Sequence, residues 1–172
     1  MSQAVKFNRG LLKYVEGDAT LPRGGGHRML IHVCNDIGGF GAGVAQAIAQ
    51  RYPKVRDQYK LWFRAQTLDF NKFELGSIQI VPVQTDLSVV NMIAQSGIGP
   101  DSQGNPPIRY DAVRTCLQKV LKAAKDSQSS IHAPKFGAGL AGGDWAVIEQ
   151  MINEILIDNG MNVTIYTLSE SK

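Results

Sequence analysis

Met29–Asn35 (MLIHVCN), Gly38–Gly43 (GGFGAG) and Val44–Ala49 (VAQAIA) follow one another with only Asp36 and Ile37 between the first two. The first stretch is apolar and ends at a turn, which is the pattern of a buried strand. The third places Val44 and Ile48 at i, i+4 among strong helix formers. The same order recurs later. Ile131–Phe136 (IHAPKF) reads as a strand, Gly137–Gly143 (GAGLAGG) as a turn, and Ile148, Met151, Ile152, Ile155 and Leu156 mark one apolar helix face. Asp144 stands where an N-cap is expected and Gly160 where the helix stops.

Working outward, Leu11–Glu16, Ile78–Gln84, Val89–Gln95 and Val163–Leu168 have strand character. Pro53 ends the first helix, and a second, more polar one is predicted over Lys54–Arg64. Val113, Leu117, Val120, Leu121 and Ala124 give a further amphipathic helix. Between Gly97 and Arg109 the composition is that of a surface loop, long enough to act as a lid. Strands alternating with helices predict an α/β fold in which helical layers enclose the sheet. Ligands in such folds bind beyond the carboxyl ends of the strands, where both glycine clusters lie.

The chain has 172 residues and is read as one domain over 1–172. Its 18 Lys and Arg against 15 Asp and Glu leave a net charge of +3, too small to argue for nucleic acid by itself. No window approaches the ~18 apolar residues of a membrane span, and Met1–Lys6 lacks the apolar core of a signal peptide. Cys34 and Cys116 lack CxxC or zinc spacing and are read as free thiols, and the three histidines are scattered, so no metal and no cofactor is expected. A cytoplasmic, monomeric protein without membrane contact follows as the expectation.

Glycine is in excess, 18 of 172, and eleven of these fall in Gly24–Gly26, Gly38–Gly43 and Gly137–Gly143. A glycine loop running into a helix offers unpaired amides and the positive end of the helix dipole, and lets a phosphate approach the backbone. Two such loops in one small domain are read as two walls around one diphosphate, with all eight of their glycines contributing. Gly137, Gly139 and Gly142 match G-x-G-x-x-G, but only one strand follows and Asp158 falls at a helix end, which excludes the dinucleotide fingerprint. Neither loop is followed by Lys-Ser/Thr, which argues against a P-loop.

Together, Gly17-Asp18-Ala19-Thr20, His32-Val33-Cys34-Asn35, Gly38–Ala45 and Phe136–Trp145 resemble the macrodomain family of ADP-ribose-binding modules. The closest likeness is to the subgroup of the yeast ADP-ribose 1″-phosphate phosphatase and the terminal ADP-ribose protein glycohydrolase. The resemblance runs from about Leu11 to Leu168 and implies a three-layer α/β/α sandwich with a central mixed sheet. It implies that Asp18 receives the adenine amino group, that Ala19 belongs to the same ligand site, that Tyr166 lies beside the adenine, and that Asn35 bonds the distal ribose. Gly41, Ala42, Gly43 and Val44 would form the first phosphate loop, and Gly137, Ala138, Gly139 and Leu140 the second. Phe40 and Phe136 either wall the ribose or belong to the core.

The departures bear on chemistry. The glycohydrolase lysine falls at about Gln95 and its catalytic aspartate at Ala141, so a lysine adduct is not expected. His32 matches the histidine of the phosphatase-like members and is a candidate proton carrier, with the core-histidine reading beside it. Asp36 is a candidate to orient a water, and Asn35 to hold the ribose during reaction. The sequence therefore leads to hydrolysis of ester-linked ADP-ribose from a modified macromolecule by a water held at the distal ribose. The alternatives are an ADP-ribose 1″-phosphate phosphatase and a non-catalytic ADP-ribose reader. The expected partner is ADP-ribose or an ADP-ribosylated macromolecule, with nucleic acid only as a modified substrate.

Overall fold

A computed structural model describes residues 8–168. In chain order the elements are β1 (Leu12–Glu16), β2 (Arg28–Asn35), α1 (Gly43–Arg51), α2 (Pro53–Ala65), β3 (Thr67–Leu68), β4 (Asn71–Lys72), β5 (Ile78–Gln84), β6 (Leu87–Gln95), α3 (Tyr110–Ser127), β7 (Ser130–Ala133), α4 (Trp145–Ile155) and β8 (Val163–Thr167), with a 3-10 turn at Ile157–Asn159. Six strands form one sheet in the order β1-β8-β7-β2-β6-β5. All neighbours run parallel except β5, which returns antiparallel on β6.

Strand alternation sorts the side chains into two cores. Met29 and Ile31 of β2 join Val90 and Met92 of β6 beneath α3 and α4. Leu30 and Cys34 face the other way, with Val89 and Ile93, beneath α1 and α2. Helix α3 presents Val113, Leu117 and Val120, all fully buried, and each such side chain contributes about 1.5–3 kcal/mol of burial free energy. The three layers are therefore α3/α4, sheet, α1/α2. Cys34 and Cys116 are buried free thiols in different cores.

Two differences from the sequence reading have local causes. Strand β7 ends at Ala133 rather than Phe136, because Pro134 has no amide to extend the ladder. The β3–β4 hairpin carried no legible signal. Its turn places Asp69 and Phe70 at φ of 49° and 63°, which hairpins usually assign to Asn-Gly or Asp-Gly. Among the described residues no helix is long and apolar enough to cross a membrane.

Candidate active site

A cleft of about 460 Å³ opens at the carboxyl ends of β2, β6 and β7 and takes both glycine loops into its walls. From the first loop come Gly39, Phe40, Gly41, Ala42, Gly43 and Val44, and from the second Phe136, Gly137, Gly139 and Leu140. His32 and Asn35 line it from β2. Asp18, Ala19, Asp36, Ala138 and Tyr166 are not among the lining residues. Of the eight loop glycines, five line the cleft, so the expectation that all eight form its walls is corrected. Gly38 has a φ of +82° against the Phe63 ring, Gly142 a φ of +74° against Pro106, and a Cβ on Gly143 would stand 2.5 Å from the Gly137 carbonyl oxygen. Those three serve the turns themselves.

Gly41 and Gly139 are different. Neither has a positive φ, and a Cβ on either would meet nothing within 4 Å. Neither packing nor backbone geometry requires glycine there, so what their bareness leaves free is the cleft. None of the amides of Gly41, Ala42, Gly43 and Val44, nor those of Ala138, Gly139 and Leu140, donates to another group among the described residues. Helix α1 begins at Gly43 with no side-chain cap and no acid in its first turn. Helix α4 is capped instead: Asp144 Oδ1 accepts the Ala146 N–H at 2.9 Å. The free helix end is therefore that of α1, and the second loop brings amides without an open dipole.

Asn35 builds the first loop. Its Oδ1 accepts from the amides of Ile37 and Gly39, both at 3.0 Å, and from the Tyr59 hydroxyl at 3.0 Å, while Nδ2 donates to the Gly39 carbonyl at 2.8 Å. One Nδ2 hydrogen is left for a ligand. Asp36 reaches the opposite way, accepting the Gly97 N–H at 2.9 Å and so fixing the start of the 97–109 loop. From that loop Ile98 lines the cleft. Asp18 Oδ1 accepts from the amide and hydroxyl of Thr20, and Oδ2 has Arg51 at 3.8 Å. Burial lifts its pKa, but the Thr20 hydrogen bonds and the Arg51 charge outweigh that and hold it below the ordinary value.

His32 is 2% exposed, edge-on to Phe40. Asn91 donates through Nδ2 to Gln79 Oε1, so that its own Oδ1 faces His32 Nε2 at 2.5 Å and assigns the proton to that nitrogen. Burial pulls the imidazole pKa down to about 4, against the Asn91 hydrogen bond. The ring is therefore neutral near pH 7, the condition of a fixed floor residue. Tyr166 is 3% exposed, with its hydroxyl bonded to the Arg23 amide and to His132 Nδ1, each at 2.8 Å. Phe40 and Phe136 are buried and line the cleft at once, Phe136 packing edge-on against Trp145.

Sequence reasoning missed Lys135, among the described residues the one charged side chain lining the cleft. Its ammonium stands 5.8 Å from the centroid of the Tyr14 ring. Its position immediately before Phe136 and the second loop was the available signal. Gln95 and Ala141 line the cleft as well. Among the described residues no group of His, Cys, Asp and Glu is arranged to hold a metal ion.

The Macro domain family profile matches residues 31–152, which carry both loops and every strand between them. The chain belongs to the macrodomain family. A macrodomain protein from Streptomyces coelicolor superimposes with a TM-score of 0.81 at 38% identity, covering 92% of this chain and 100% of that one. The ADP-ribose 1″-phosphate phosphatase of Saccharomyces cerevisiae is 26% identical over 183 residues, covering 91% of this chain and 98% of its own. Chromodomain-helicase-DNA-binding protein 1-like of Danio rerio is 29% identical over 164 residues, and this macrodomain spans only 15% of its length. The three-layer mixed-sheet sandwich is thus the family's fold.

Proposed function

We propose that this macrodomain binds ADP-ribose in the cleft between its two glycine loops and hydrolyses ADP-ribose esters of acidic side chains. The observation that carries the binding is the set of undonated amides of Gly41–Val44, Gly139 and Leu140, residues that line a cleft where Gly41 and Gly139 leave the backbone bare. That arrangement suits a diphosphate, since many weak donors share its charge without a metal. The similarity to ADP-ribose 1″-phosphate phosphatase supports the same ligand class.

The chemistry follows from what the walls lack. Among the described residues the cleft lining contains no carboxylate, and its imidazole is neutral. A reaction that needs strong acid assistance is therefore disfavoured, whereas an ester's carboxylate leaves without it. In this reading Asn35 Nδ2 holds a distal ribose hydroxyl, the loop amides hold the diphosphate, and a water between them attacks the anomeric carbon as its C–O bond to the ester breaks, the carboxylate leaving with the bonding pair and the water's proton passing to solvent. Asp36 keeps the 97–109 loop in place, and His32 supports Phe40. The same lack of a carboxylate and of a charged imidazole favours a second reading, an ADP-ribose reader without turnover.

Incubation with a glutamate-ADP-ribosylated protein and with ADP-ribose 1″-phosphate, alongside calorimetric titration with ADP-ribose, tests the assignment. Release of ADP-ribose from the protein alone is the expected result. Phosphate release from the second substrate would assign the phosphatase activity, and micromolar binding with no turnover would assign the reader. No binding of ADP-ribose would overturn all three.

A further inference from the structure

An attacking water needs an acceptor for its hydrogens as well as a carbon to attack, and side-chain acceptors are scarce in this cleft. Among the described residues, the lining side chains that carry nitrogen or oxygen are those of His32, Asn35, Gln95 and Lys135. Lys135 can only donate. The two lone pairs of Asn35 Oδ1 are taken by the amides of Ile37 and Gly39, each at 3.0 Å. His32 is buried edge-on to Phe40, with its Nε2 proton on Asn91. Gln95 is different. It is half-buried at the carboxyl end of β6, in register with Asn35 of β2. Its Nε2 donates to the Gly97 carbonyl at 2.9 Å, and the Gly97 amide is held in turn by Asp36 at 2.9 Å. That bond assigns the two ends of the Gln95 amide. Nε2 is turned to the loop, and Oε1 is the end without a partner among the described residues.

We infer that Gln95 Oε1 holds the water that attacks the anomeric carbon, accepting one of its hydrogens. Asn35 Nδ2 keeps one hydrogen beyond its bond to Gly39, so two paired strands present a donor for the sugar and an acceptor for the water. The bonds from Asp36 and Gln95 to Gly97 fix the amide plane before a ligand arrives, which is what a near-attack geometry requires. A side-chain amide is too weak a base to take the proton. It orients the water while a water lone pair forms the new C–O bond. The ester carboxylate then leaves with the pair of the bond that breaks, and the spare proton passes to solvent. The oxygen so delivered becomes the anomeric hydroxyl of the released ADP-ribose, still on the same acceptor.

This inference rests on the reading of the cleft as a site of ADP-ribose ester hydrolysis. The test is calorimetric titration of wild type, Gln95→Met and Gln95→Glu with ADP-ribose and with its analogue carrying hydrogen in place of the anomeric hydroxyl. Wild type should prefer ADP-ribose by about fivefold, the size of one neutral hydrogen bond, and Gln95→Met should bind both ligands within twofold. Gln95→Glu keeps an acceptor at the same length, so it should keep the preference even where its overall affinity falls. On a glutamate-ADP-ribosylated protein, kcat of Gln95→Met should drop about 100-fold, the scale of a misplaced reactant. A preference retained in Gln95→Met, with both ligands weakened alike, would overturn the inference by showing that Gln95 acts only through the loop. Unchanged kcat in Gln95→Met would overturn it too. Wild-type protein that binds neither ligand would overturn the ADP-ribose reading itself. Wild type that binds both and releases nothing from the modified protein would overturn hydrolysis, and the held water with it.

Discussion

Leu140 of the second glycine loop lies over Gly43 of the first, its Cδ1 3.4 Å from where a Cβ on Gly43 would stand. The two walls of the cleft therefore meet at this pair, and Leu140 is 71% exposed at the meeting point. Gly43 has a φ of +59°, so a β-branched residue there is strained whatever the space. Gly43→Val should cost about 1–2 kcal/mol of stability by denaturant unfolding, while Leu140→Ala should stay within about 0.5 kcal/mol of wild type. A Gly43→Val protein of unchanged stability would show that the first loop has a different backbone.

Gly139 separates binding from folding. A side chain there meets no protein atom within 4 Å, so Gly139→Glu should melt at the wild-type temperature. It should nevertheless lose ADP-ribose affinity by about 100-fold or more, because a carboxylate would replace the space and amides meant for an anion. Gly137→Ala should do the reverse of the first result and destabilise, since its φ is +77° and its Cβ would approach Ile148 to 2.8 Å. Unchanged calorimetric affinity in Gly139→Glu would remove the second loop from the site.

Asp36 acts through the loop it holds. Asp36→Ala frees the Gly97 amide, and limited proteolysis should then cut within 97–107 faster than in wild type. Affinity should fall as well, since Ile98 loses its position on the cleft wall. Asn keeps an acceptor at the same place, so Asp36→Asn should restore both properties. If Asp36→Asn loses turnover while retaining loop protection, the carboxylate takes part in the chemistry.

Among the described residues, Lys135 supplies the only side-chain charge in the cleft lining. Lys135→Ala should weaken ADP-ribose binding about fivefold, roughly 1 kcal/mol, the size of one partly screened charge pair. The salt dependence of affinity should flatten in the variant, because the removed contribution is the screened one. A salt slope equal to that of wild type would place the ammonium away from the bound ligand.

The histidines set a pH dependence. Burial holds His32 and His132 near a pKa of about 4 in the folded chain, with Arg28 and Lys13 adding to the effect at His132. Their ordinary value is 6.5, so between pH 6.5 and 4 the unfolded chain binds more protons. Stability should therefore be complete above about pH 6.5 and decline as the pH falls towards 4. Melting curves should show this, and His132→Gln should flatten part of it. Turnover should show no inflection between pH 5.5 and 8 from His32. A rate limb in that range that disappears in His32→Gln would make His32 a proton carrier after all.

Much of this protein is determined locally and is legible in its sequence. The alternation of apolar strands with amphipathic helices fixes the α/β class, and Pro53, Asp144 and Gly160 punctuate the helices because each acts on the backbone of its immediate neighbours. The two glycine loops are visible for the same reason. What the tertiary structure decided is everything that depends on who faces whom. Gly142 and Gly139 look alike in sequence, but Pro106 stands against one and open space against the other. His32 reads as a titrating group until Asn91, from a strand 59 residues away, and Phe40, from the following loop, bury it neutral. Tyr166 reads as a ligand face until Arg23, 143 residues earlier, lies across it. The excess of glycine marked where the backbone bends or is approached, and only long-range packing distinguishes the glycines that make room for a ligand from those that make room for the protein.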